Sequence, residues 1–195
     1  MFDAASLGNT FGRLMLLLCS ALPLLARDRR VGVSAMAVQY VCLAQLSLSL
    51  IGRQWALALV IEGVCTAAIL AVTAGQIGWR NTPSAPPWPF RMGATVAMML
   101  AVVYVADQPE SIWPGLSPAA VMAGYALMAL GLLKLGMTAD PLETAIGLLM
   151  TLNGFRLIYV VGEQSLLLAA LMAAVNLSLS VALSYIAVTG ERVAE

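Results

Sequence analysis

The sequence predicts an all-α, polytopic integral membrane protein, and three observations carry that prediction. Of 195 residues, 61% are hydrophobic and only 10% charged, and the mean hydropathy of +0.91 lies far above that of a soluble domain. Apolar runs recur along the whole chain, each near the length of about 20 residues that crosses roughly 30 Å of hydrocarbon. The breaks between runs are short and hold most of the charges and prolines. About seven transmembrane helices follow, with little chain left for a domain outside the membrane.

The first run, 7–26, is followed by the basic cluster Arg27, Arg29 and Arg30. Basic residues after an apolar run, and not before it, mark a retained anchor in place of a cleaved signal peptide. The second and third runs, 31–51 and 54–77, complete a front three-helix block over 1–78. A Pro-rich cytoplasmic linker, 79–90, comes next. The stretch "GWRNTPSAPPWPF" contains four prolines, which remove backbone donors and favour an extended connection. Trp79 and Trp88 suit the interfacial aromatic belt.

A rear four-helix block occupies 91–195. Its runs are 89–106, 117–134, 141–161 and 165–189, and the turn-rich loop "ADQPESIWPGLSP" separates the first from the rest. The layout reads as two three-helix blocks joined by one linking helix. Gly52/Gln54 and Gly162/Gln164 open the last helix of each block, a faint parallel repeat. Small and weakly polar residues recur at helical spacing as Thr144, Gly147, Thr151 and Gly154, then as Ala169, Ala173, Asn176, Ser180 and Ser184. Such stripes let membrane helices approach closely. They predict that the sixth and seventh helices pack on each other or on a partner subunit, with Leu166, Leu167, Leu171 and Leu179 meeting lipid or more distant neighbours.

Lys and Arg collect in cytoplasmic loops. Arg27, Arg29, Arg30, Arg80, Arg91, Lys134 and Arg192 fall on one side; Arg53, Asp107, Glu110 and Glu163 fall on the other. The N-terminus is therefore expected outside and the C-terminus in the cytoplasm, in a cell inner membrane. The formal net charge is zero, which makes nucleic acid a poor partner. Lipids and other membrane subunits are the expected ones. Cys19, Cys42 and Cys65 lie inside apolar runs without CxxC spacing, and there is no histidine. They read as small buried hydrophobes. No metal site, haem, redox disulfide or other cofactor is expected, and no nucleophile elbow, phosphate loop or acid pair marks a catalytic residue.

Ionisable groups within the bilayer cost at least about 2.5–3.5 kcal/mol at mid-helix, so each needs a reason. Lys134, near a helix end, is expected to snorkel to the cytoplasmic interface. Glu62 sits roughly 10–12 Å below the outer end of its helix, and Arg13 and Arg156 roughly 7–9 Å below theirs, at 1.5 Å per residue. One reading pairs Glu62 with an arginine and so offsets desolvation. Another makes Glu62 a protonatable relay, its neutral form favoured by burial and opposed by a positive neighbour. Glu62, Thr66, Thr73 and Gln76 share one face of the third helix; Gln39, Cys42, Gln45 and Ser49 form a strip on the second. Asn153, Arg156 and Glu163 share a face of the sixth. Glu62, Arg13, Arg156, Gln39, Asn153 and Asn176 are the candidate members of an intramembrane polar network.

The stretch "AIGLLMTLNGFRLIYVVGEQSLLLAALMAAVNLSLSVALSYI" resembles the small three-helix membrane subunit of respiratory complex I and the C subunit of multisubunit cation/proton antiporters. With "AVQYVCLAQLSLSLIGRQWALALVIEGVCTAAIL" added, the chain looks like the E component of hydrogenase-4 and formate hydrogenlyase complexes. The resemblance implies a non-catalytic accessory subunit of a proton- or ion-translocating complex. In that family, glutamates of the second and third helices are tied to proton transfer. Here "MTLNGF" offers Leu152 and Asn153, and the next helix offers Asn176, which implies a scaffold without the relay. Two other readings stay open: a structural subunit of a photosynthetic or oxidase complex binding lipid, quinone or pigment, and a small stand-alone transporter.

Overall fold

The computed structural model describes residues 20–25, 28–50, 52–78, 86–106, 118–162 and 165–194, and every regular element among them is helical. Helix α1 is described over 20–25. After it come α2 (Arg29–Leu50), α3 (Arg53–Ile77), α4 (Trp88–Ala106), α5 (Pro118–Met137), α6 (Pro141–Gly162) and α7 (Leu166–Ala194). Five segments are long and apolar enough to cross a membrane: Arg29–Leu48, Arg53–Ile77, Trp88–Ala106, Ala120–Met137 and Leu167–Gly190. Seven crossings are predicted from the sequence, and five helices among the described residues have the length and apolarity that a crossing needs. Most of the first apolar run lies outside those residues. The remaining helix, α6, carries Glu143, Asn153 and Arg156 and is the innermost of the bundle.

Local chemistry sets the turns. Gly52 (φ 133°) and Gly78 (φ 87°) bracket α3, in backbone conformations that a Cβ disfavours. Asp140 caps α6: its Oδ1 accepts from the backbone N–H of Leu142 at 2.9 Å and of Glu143 at 3.2 Å. Pro141 at the first helical position and Glu143 in the first turn complete a strong helix start.

Helix α6 buries Leu142, Ala145, Ile146, Leu149 and Met150 completely. It packs on α5, α7 and α2, while α3 lies between α2 and α7. One continuous core runs from Leu24 to Leu157, so the front and rear blocks share it. The small-residue stripe of α6 faces α5, which corrects the prediction that it seals against α7 or a partner. A Cβ placed on Gly154 would stand 2.6 Å from the Gly124 carbonyl oxygen, and one on Gly131 would stand 2.7 Å from that of Gly147. Gly124 and Gly131 repeat at the seven-residue spacing of Gly147 and Gly154, and the short 138–140 turn brings the two helices back to back. The stripe of α7 is buried at Ala169, Asn176, Ser180 and Ser184, while Leu167 and Leu171 face outward.

Candidate functional site: a buried polar core

Three helices meet around Glu62. It lies on the buried side of α3 with Gly63, Thr66, Leu70 and Thr73, a face that helical spacing aligns. Its carboxylate is engaged on both oxygens. Arg156 of α6 forms an ion pair and hydrogen bond to Oε2, and Asn176 of α7 donates to Oε1 at 2.8 Å. The same Asn176 amide donates to Asn153 Oδ1 at 3.0 Å. Glu62 and Asn176 are each 2% exposed and Arg156 is 5% exposed. Removing such charges from water costs several kcal/mol per ion, which only close pairing and added hydrogen bonds can offset.

Of the six residues singled out from the sequence, Glu62, Arg156, Asn153 and Asn176 come together as one hydrogen-bonded chain. Gln39 is fully buried on α2, and neither end of its amide has a partner among the described residues. Arg13 lies outside the described residues. Tyr40 is a member that sequence reasoning passed over. Its ring seats on Gly63, where a Cβ would come within 2.5 Å of the Tyr40 Cβ, and its hydroxyl faces Asn153 and Thr66 in the field of Glu62 and Arg156. The pairing of a bulky aromatic with a glycine on the neighbouring helix was its available signal. Gln45 and Gln76 turn outward, so the polar strips on α2 and α3 are only partly internal. Cys65 is exposed on α3 and Cys42 half-buried, which corrects the expectation of burial for these two, while Cys19 lies outside the described residues.

Arg156 also borders two voids. A cavity of about 20 Å³, lined by Ser47, Trp55, Asn153 and Arg156 among others, opens on the α2–α3 side. A groove of about 220 Å³ lies between α6 and α7, with Leu152, Phe155, Met172 and Val175 on its walls and Arg156 and Asn176 at its base.

A second buried polar cluster closes the opposite end of the bundle. Arg29 pairs with Asp140 and donates to the Gly78 carbonyl at 3.0 Å, which ties off the C-terminus of α3. Lys134 pairs with Glu143 and donates to the Pro23 carbonyl at 2.6 Å. Arg91 of α4 donates to the Leu24 carbonyl. Lys134 is only 4% exposed, so it does not snorkel: a carboxylate on α6 stands nearer than water. The fragment "ADPLE" was the legible sign, an N-capping aspartate followed three residues later by a glutamate.

The burial of Lys134 has a direct chemical consequence. It is the only lysine in the sequence, and a membrane-permeant amine-acylating reagent should leave it unmodified in the folded protein. Peptide mapping should find Lys134 labelled only after denaturation. Full labelling in the native state would return this side chain to the surface.

Among the described residues, no group of three or more His, Cys, Asp or Glu side chains could hold a metal ion. Comparisons with protein-family models, with curated proteins and with solved structures find no match to this chain.

Proposed function

We propose that this chain is a non-catalytic accessory subunit of a multisubunit proton- or ion-translocating membrane complex, of the hydrogenase-4, complex I or antiporter kind. In this reading it crosses a cell inner membrane seven times, with its N-terminus outside and its C-terminus in the cytoplasm. The observation that carries the proposal is the closure of Glu62. A proton-transfer carboxylate needs an oxygen open to the incoming proton, and both oxygens of Glu62 are held by Arg156 and Asn176. What remains for partners is the outer surface, where α4 and α7 present Leu100, Tyr104, Leu167 and Tyr185. A stand-alone transporter would show helices broken at mid-membrane, and α2 to α7 run unbroken over their described lengths.

The test is purification in mild detergent through a C-terminal tag, with mass spectrometry of the partners, for the wild type and Glu62→Gln. Ion-translocating or redox membrane subunits should come along in fixed stoichiometry. Glu62→Gln should lower the yield of the complex and leave the turnover of what assembles unchanged. Normal assembly with lost proton coupling would make Glu62 a relay and overturn the scaffold reading.

A further inference from the structure

The groove between α6 and α7 has a division of chemistry that its role as a packing seam does not require. Its walls are apolar, with Leu152 and Phe155 from α6 and Met172 and Val175 from α7. Its base is polar and more than nine-tenths buried, formed by Arg156 and Asn176. A guanidinium carries five N–H donors, and the one described acceptor for Arg156 is Glu62 Oε2. The Asn176 amide nitrogen is spent on Glu62 and Asn153, while its carbonyl oxygen accepts no hydrogen bond among the described residues. The base of the groove therefore offers donors and an acceptor side by side at the end of an apolar slot.

Charge narrows the ligand. Glu62 neutralises Arg156, so the base has no net positive charge with which to recruit a phosphate. Depth narrows it again. Arg156 stands six residues before the end of α6 at Gly162, about 9 Å along the axis, below the level of lipid headgroups and within hydrocarbon. A neutral head group on an apolar tail suits this base if its oxygen accepts from Arg156 and, when it carries a proton, donates to Asn176. Buried donors and acceptors left without partners are costly, so such a head group gains specificity as well as affinity.

We infer that the α6–α7 groove is a binding site for a membrane quinone or quinol: the quinone's carbonyl accepts from Arg156, and the quinol's hydroxyl accepts from Arg156 and donates to Asn176 Oδ1. Leu171 and Val175 stand at the lipid-facing mouth, 59% and 51% exposed, and the tail leaves between them. The inference concerns binding alone, and it goes beyond the assembly reading because it holds whether or not the chain is captured with partners.

The test is photolabelling of the full-length protein in membranes with a decyl-tailed azidobenzoquinone, followed by peptide mapping. Labelling should concentrate on the α6 and α7 segments around Phe155 and Met172 and be suppressed by excess unlabelled decylbenzoquinone. Leu171→Trp and Val175→Trp fill the mouth from its exposed side and leave the Glu62–Arg156 pair intact. Each should weaken that protection by about tenfold, with helix content by circular dichroism unchanged. Labels spread evenly over lipid-facing positions such as Leu100 and Tyr104 of α4 would reduce the result to partition into the bilayer and overturn the site. Protection by added phospholipid and not by the quinone would make the groove a lipid seat and overturn it equally.

Discussion

Arg156→Leu should destabilise the folded chain by about 3–5 kcal/mol, because it leaves the Glu62 carboxylate buried without its cation. Asn176 would still donate to Glu62 Oε1, but a neutral amide does not supply the counter-charge that Arg156 does. The double variant Glu62→Leu/Arg156→Leu should recover most of the loss, since replacing a buried pair by apolar residues is often neutral or stabilising. Unfolding in detergent by SDS or urea, run as a double-mutant cycle, measures the coupling. If Arg156→Leu alone unfolds like the wild type, Glu62 finds another route to neutrality and the pair is not what holds α3 to α6.

The second large effect belongs to the glycine seam. Gly154→Leu should prevent stable folding, and even Gly154→Ala should cost about 1–3 kcal/mol by overpacking. The obstruction is backbone: the Gly124 carbonyl oxygen at 2.6 Å and the Met128 nitrogen at 2.7 Å from the added Cβ. Neither can rotate away as a side chain would. Gly136, on the same α5 but with nothing within 4 Å of its Cβ direction, is the matched control. Gly136→Ala should be neutral or stabilising by about 0.5–1 kcal/mol through helix propensity. Equal effects at the two positions would show that close approach of α5 and α6 does not limit stability.

Much of the secondary structure was legible because hydrophobic run length is a strong signal in a membrane chain. The boundaries of α2 to α6 follow the apolar runs, the largest shift being the end of α5 at Met137 against residue 134. Partner choice was not legible to the same degree. A stripe such as Thr144, Gly147, Thr151 and Gly154 states that some backbone comes close, without stating which, and α5 and α7 both carry small residues. Depth along each helix placed Glu62 and Arg156 at a similar level of the membrane. Their contact depends on helix rotation, which small differences in apolar moment do not settle when the whole helix is hydrophobic. Lys134 misled for a related reason. Proximity to a helix end favours snorkelling only if no carboxylate lies nearer, and Glu143 is nearer.

The cluster that ties α1, α2, α4, α5 and α6 together also imposes an order on biogenesis. Its cations come from Arg29, Arg91 and Lys134, and its anions, Asp140 and Glu143, follow the last of them in the chain. A ribosome therefore delivers three uncompensated positive charges before either negative one. In the proposed orientation, those charges would hold the ends of α2, α4 and α5 at the cytoplasmic face until α6 emerges. Asp140 then pairs with Arg29 and Glu143 with Lys134, while Lys134 and Arg91 hold the carbonyls of Pro23 and Leu24. The finished protein conceals the charges that its nascent chain displays: Arg29, Arg91 and Lys134 all end buried.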